Sequence, residues 1–246
     1  MNSDIIPSYK TKGIKMEQPA INRQIFEIRY RAEPRILDHR GVWADQLLDL
    51  LAVTEWRIDP IRLDVLSKDK RKSVFISYKN AGIVLHNSNE KEFSELTSKF
   101  LGFLFRQSPF RNIALERLGV LLRAAKKSDG NFESIVQLYQ DKFIAYSSNL
   151  LEVFNGRIID VGTPVTLETD IGKINFRSGP MPKEQLTEMF ESEDELPETA
   201  IFFECDYFLK PEINSTMNTK QIPNLVRDYI HDNWARCEKF FGLLNK

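Results

Sequence analysis

The chain has 246 residues, 42% hydrophobic and 28% charged, ordinary values for a folded protein with enough length for one large domain or two small ones. Disorder is excluded by that balance, and a membrane-spanning segment by the longest apolar runs, such as Leu118–Leu122 and Ala200–Phe203, which fall far short of the roughly 20 residues needed. A formal net charge of −1 argues against generic nucleic-acid binding, although 18 basic against 14 acidic residues over 1–110 and 16 against 21 over 111–246 leave the two halves oppositely charged.

Residues 1–20 have no periodicity, contain Pro7, Gly13 and Pro19, and predict a mobile N-terminal arm; with no apolar block or small-residue cleavage site they do not read as a secretory signal, and a cytoplasmic location is expected. Ile25–Arg31 alternates Phe26, Ile28 and Tyr30 with charged residues, the pattern of a strand with one buried face. Asp38 then stands where it would cap a helix carrying Trp43, Leu47, Leu50 and Leu51. Trp56–Leu66 reads as an edge strand interrupted or bulged at Pro60. A basic hairpin tip at Lys68–Lys72, a strand through Val74, Ile76 and Tyr78, a turn at Asn80-Ala81-Gly82 and a strand to His86 follow. Glu90–Arg106 closes the unit as an amphipathic helix.

The same order then recurs. Ala114–Ala124 predicts a strand, Ser128–Asn131 a turn, and Phe132, Ile135, Val136, Tyr139 and Phe143 a helix. Strands are expected at Gly156–Thr169 and Lys173–Phe176, a short helix at Lys183–Phe190, a solvated acidic loop at Glu191–Glu195, a strand at Ala200–Leu209 and a long helix at Asn224–Leu244. The expected fold is α+β in two tandem lobes, residues 21–109 and 110–246, each an antiparallel sheet covered by helices on one face. This order resembles tandem helix-grip halves of the TATA-binding-protein type, in which two units join into one saddle-shaped sheet.

Glycine-rich phosphate loops, clustered Cys and His, Gly-x-Ser-x-Gly and kinase signatures are missing, and no Asp or Glu is followed two residues later by Lys as metal-dependent nucleases require. His39, His86 and His231 are isolated, and Cys205 and Cys237 read as reduced, buried thiols. Arg227 and His231 on the last helix read as surface or capping residues. No catalytic, cofactor-binding or metal residue is therefore assigned, and no cofactor is expected. Glu204 and Asp206 lie two apart on one strand face; they read as cross-strand partners of Arg117 and Arg123, with a metal-holding carboxylate pair as the alternative. Trp234, Phe240 and Phe241 exceed what one helix face is expected to bury and join these charges as a candidate partner surface. Lys68, Lys70, Arg71 and Lys72, extended by Arg29, Arg31, Arg35 and Arg62, are candidate phosphate contacts.

Arg117–Arg123 (RLGVLLR), Glu204–Phe208 (ECDYF), the closing EKFFGLL and the N-terminal strand with its Trp-containing helix together resemble a sporadically distributed prokaryotic family of about this length, itself uncharacterised in function. The chain departs from it at Leu121-Leu122-Arg123, where that family has an aromatic-Asn-Arg stretch. The resemblance implies the fold order and no catalytic residue. Patchy distribution suits an accessory gene, for example in antiviral (phage) defence. The expected function is a non-catalytic interaction or accessory subunit acting through a protein partner or self-association. The alternatives are a nucleic-acid module using the sheet face and basic hairpin, and an atypical metal-dependent hydrolase.

Overall fold

A computed structural model of the chain describes residues 21–111, 113–128, 130–145, 152–153, 156–190, 196–211 and 219–244; the arm expected over 1–20, the acidic loop expected over 191–195 and Asp129 of the expected turn lie outside them. Strand β1 (Ile21–Tyr30) buries Phe26, Ile28 and Tyr30 as the alternation predicts. Helix α1 (Arg40–Leu51) is entered through a 3-10 turn, Pro34–His39. Asp38 lies inside that turn, so it does not cap the helix, and no side chain bonds to the helix start.

The expected single strand around Pro60 is a hairpin. β2 (Glu55–Asp59) and β3 (Arg62–Leu66) pair antiparallel, Asp59 facing Arg62, with Pro60-Ile61 as the turn. Proline presets the backbone angle that the first central turn position needs, which explains why it reverses the chain here rather than bulging it. β4 (Lys72–Ser77) and β5 (Asn80–His86) follow. Their turn is Tyr78-Lys79, where the Ser77 hydroxyl accepts from the Lys79 and Asn80 amides; Asn80-Ala81-Gly82, expected as the turn, is strand and pairs with β1. Helix α2 (Glu90–Leu104) starts at Asn89, whose carboxamide oxygen accepts from the Glu92 amide at 2.9 Å. Asn89→Ala removes that cap and should lower unfolding stability by about 1 kcal/mol, read as a shifted urea midpoint with unchanged slope.

The second half contains β6 (Leu115–Lys127), α3 (Phe132–Phe143), β7 (Thr163–Thr169), β8 (Gly172–Pro182), α4 (Lys183–Phe190), β9 (Thr199–Leu209) and α5 (Ile222–Leu243). All nine strands form one antiparallel sheet in the order β2-β3-β4-β5-β1-β6-β9-β8-β7. It passes unbroken from one half of the chain to the other. β1 and β6 run side by side from Ile21 opposite Ala125 to Tyr30 opposite Leu115, with one shift of register between Arg29 and Tyr30. A single main core spans both halves, from Trp43, Leu63 and Phe93 to Phe203, Tyr207 and Phe241.

Helices α1, α2, α3 and α5 cover one face of the sheet. Helix α4 does not: Leu186 and Phe190 pack on Ile21, Ala125, Ala200 and Phe202, which project from the opposite face. Coverage on one face alone therefore needs correction, because this end of the second face carries an apolar patch that must be buried. Arg23 and Arg123 hold the end of α4 by donating from their Nη1 atoms to the Met189 carbonyl at 3.3 and 2.9 Å, favourable placements for cations at a helix C-terminus.

Helix α5 is fixed on the sheet by polar contacts within the core. Fully buried Asn233 donates to the Val120 carbonyl of β6 at 3.0 Å and the Cys205 carbonyl of β9 at 3.2 Å, and the Cys205 thiol donates to its side-chain oxygen at 3.0 Å. Trp234 Nε1 donates to Gln24 Oε1 at 2.9 Å, and Gln24 Nε2 donates to Ser88 Oγ at 2.8 Å, linking α5 through β1 to Ser88, two residues beyond β5. Burial pushes the Cys205 thiol up to about 12 and the Cys237 thiol further, so both are neutral, unreactive groups at physiological pH.

Candidate functional site

The two-residue period of the strands that buries Phe26, Val120 and Phe203 on one face sends Glu27, Arg29, Arg117, Arg123, Glu204, Asp206 and Arg177 to the other. Beyond the area under α4, this second face is a band of charge across β1, β6, β9 and β8. Glu204 stands opposite Arg123 on one neighbour and Arg177 on the other, and each guanidinium donates through Nε to a different carboxylate oxygen at 2.7 Å. Burial works against the Glu204 charge, but the bonds from Arg177 and Arg123 outweigh it and hold this carboxyl below the usual range. Among the described residues Asp206 is held by Arg117, at 2.7 and 2.8 Å to its two oxygens; burial dominates there and raises its pKa.

Arg117 reaches Asp206 by lying flat over Gly119. A Cβ at that glycine would come within 2.9 Å of Arg117 Nη1, and the guanidinium carbon sits 4.8 Å above the Phe208 ring, Phe208 being the residue opposite Gly119. A matching arrangement exists in the first half. Gly82 on β5 faces Phe75 on β4, whose ring covers it, and Arg62 lies 4.5 Å over that ring. Glu27 stands between Gly82 and Gly119 in register and accepts from Arg29 Nε and, at 3.4 Å, from Asn80 Nδ2. The Gly–Phe–Arg pairing on either side of Glu27 was not expected from the sequence; its only linear signal is a single glycine in each of two strands.

The two carboxylates thus have the geometry of cross-strand ion pairs, with arginine donors on the oxygens a metal would use. No group of three or more His, Cys, Asp or Glu arranged to hold a metal exists among the described residues. No known family model matches the chain, and no curated protein matches it. No helix among the described residues is long and apolar enough to cross a membrane.

The aromatic part of the expected partner surface is not on the surface. Phe240 and Phe241 are buried, Phe240 between Phe143 of α3, Phe176 of β8 and Phe203 of β9, because α5 is flanked on both sides and so buries a wider stripe than one helix face. Trp234 is half-buried and committed to Gln24. The phosphate-binding set is divided. Lys68, Lys70 and Arg71 are exposed at the β3–β4 tip and Lys72 pairs with Glu92, whereas Arg62 begins β3 and Arg29 lies one residue before the end of β1, at the other end of the strands. Arg29, Arg35 and Arg62 each hold a carboxylate two residues away.

Exposed apolar side chains gather instead at the two sheet edges. On β2, paired only with β3, Trp56 is 55% and Ile58 38% exposed on one strand face, with Ile61 exposed in the adjoining turn. On β7, paired only with β8, Val165 and Leu167 repeat the arrangement.

Proposed function

We propose that the chain is a non-catalytic interaction subunit that works by adding a protein strand to the β2 edge of its sheet, a second copy of itself in the first instance. The observation that carries this reading is Trp56 and Ile58 side by side on an edge strand whose outer amides and carbonyls have no neighbour among the described residues. Glu55, Arg57 and Asp59 charge one face of this edge and Pro60 follows it, the usual protection of an edge strand, but the other face carries a large exposed indole, which favours pairing. The strand is also complementary to itself: an antiparallel β2–β2 pairing centred on Trp56 sets Glu55 opposite Arg57 of the second copy on both sides, a closed two-fold contact. The repeated strand order on either side of the β1–β6 pair supports two tandem units, 21–109 and 110–246, fused through their first strands. In an affinity capture from nuclease-treated native lysate, the wild type should retain a stoichiometric protein and Trp56→Lys should lose it. Equal recovery by both proteins would place the contact elsewhere.

A second reading, contact with nucleic acid, is favoured by the exposed Lys68, Lys70 and Arg71 at one hairpin tip. It predicts binding to mixed DNA or RNA that weakens steeply with salt and is lost on replacing all three by Ala.

A further inference from the structure

The β3–β4 turn is a closed loop rather than a loose basic run. The Ser67 amide donates to the Lys72 carbonyl at 2.9 Å, and the Lys70 amide donates to the Ser67 carbonyl at 2.8 Å. The Asp69 carboxylate is tied to the loop itself: it accepts from the Ser67 hydroxyl and, at 3.0 Å, from the Arg71 amide, and these bonds hold its pKa below the usual carboxylate range. Lys68, Lys70 and Arg71 are left exposed around it. Lys70 lies in the left-handed region, with φ 56°, at a loop position that glycine or asparagine normally takes. A side chain with a β-carbon is strained there, so backbone stability does not account for a lysine.

Lys126 and Lys127, at the end of β6, are the second basic group. Lys127 is exposed, neither lysine forms an ion pair among the described residues, and burial lowers the Lys126 pKa. The His86 amide donates to the Arg71 carbonyl, His86 faces Arg23 on β1, and Arg23 faces Arg123 on β6, so the loop and the β6 end project past the same end of the sheet. Three strand spacings separate β4 from β6, about 14 Å. Glu92, Glu90 and Glu198 at this end are engaged, with Lys72, His231 and Lys183.

We propose that the two basic groups straddle the major groove of B-form DNA, Lys68, Lys70 and Arg71 on the phosphates of one strand and Lys126 and Lys127 on those of the other. The inference rests on the nucleic-acid reading of the tip and deepens it by naming the duplex and the second contact. A separation of about 14 Å is close to the roughly 12 Å width of that groove. A-form RNA has a narrow major groove, and a single strand offers one backbone only. Contacts to phosphate position a protein without reading bases, so binding is independent of sequence. No exposed large apolar side chain belongs to the Ser67–Lys72 loop or to β6, which sets this surface apart from one that enters a membrane.

The test is fluorescence anisotropy of the full chain with a short mixed-sequence DNA duplex, its single strand and the matching RNA duplex, from about 50 to 200 mM salt, with phosphatidylglycerol vesicles as a competing polyanion. The DNA duplex should bind about tenfold more tightly than either other nucleic acid, with a log–log salt slope of about −4 for five cations. The double variant Lys126→Ala, Lys127→Ala should make that slope shallower by about two, and Lys70→Gly by about one. Lys70→Gly should also melt at or above the wild type, because glycine relieves the left-handed backbone, so its loss of affinity cannot come from misfolding. Equal affinity for the single strand or the RNA duplex, or a slope unchanged by the Lys126, Lys127 pair, would overturn the straddled duplex while leaving tip binding in place. Absence of DNA binding, with or without vesicle binding, would overturn both.

Discussion

Glu204→Ala should destabilise the folded chain by about 3 kcal/mol. The carboxylate is buried and is the shared acceptor of Arg123 and Arg177, so its removal leaves two guanidinium groups facing each other across β9 with no counter-charge between them. Breaking a buried pair by deleting one partner costs roughly 3–5 kcal/mol, and the lower end applies because Arg177 is half-exposed and recovers water. Urea unfolding of the variant beside the wild type measures it. The acid limb of stability carries the same signature. The Glu204 pKa is lowered on folding, so its contribution is fully present above its unfolded value and is lost as pH falls through the lower folded one. Asp206 has the opposite sign: its folded pKa is raised, so the penalty for its charge is present above that pKa and relieved as pH falls through it. Glu204→Gln should therefore flatten the loss of stability in acid, whereas an unchanged acid limb would show that Glu204 is not the group responsible.

Asn233→Leu should cost roughly 2–3 kcal/mol despite adding apolar volume. It withdraws a donor from two strand carbonyls and an acceptor from the Cys205 thiol, in a position with no access to water. Each buried group left unmatched costs about 1–3 kcal/mol, lessened here because the carbonyls belong to strands paired in the sheet. Because Asn233 bridges β6 and β9 under α5, the loss should loosen the helix over those strands. Cys205 should then react measurably faster with a thiol reagent under native conditions, and a stable variant with protected Cys205 would contradict the role assigned to Asn233.

Much of the fold is legible in the chain because period-2 and period-3.6 patterns report local geometry directly. Phe26, Ile28 and Tyr30, or Ile201 through Leu209, show their strands without help from neighbours. What such patterns do not report is which elements meet. Helix α4 has the expected bounds, Lys183–Phe190, yet nothing in eight residues says that the patch awaiting it, Ile21, Ala125 and Phe202, lies on the other face of the sheet. Phe240 and Phe241 looked surplus because the width of the buried stripe on α5 depends on α3 and β8. That Glu204 and Asp206 face Arg117 and Arg123 was readable from spacing, but which carboxylate meets which arginine follows only from register, and Arg177 was missed because the expected strand ended at Phe176, one residue short of it. The Phe75–Gly82 and Phe208–Gly119 pairs are properties of register, which exists only once strands are matched. The turn at Tyr78-Lys79 was placed two residues late because Asn and Gly are strong turn formers, while here the Ser77 hydroxyl supplies the turn's bonds and Gly82 is needed under Phe75.

Sedimentation velocity over a hundredfold range of concentration, on the wild type and on Trp56→Lys, tests the interaction reading most directly. A reversible, concentration-dependent dimer that becomes monomeric in Trp56→Lys at unchanged thermal stability is the predicted result. A wild type that remains monomeric throughout, or a dimer indifferent to Trp56→Lys, would contradict strand-edge association at β2.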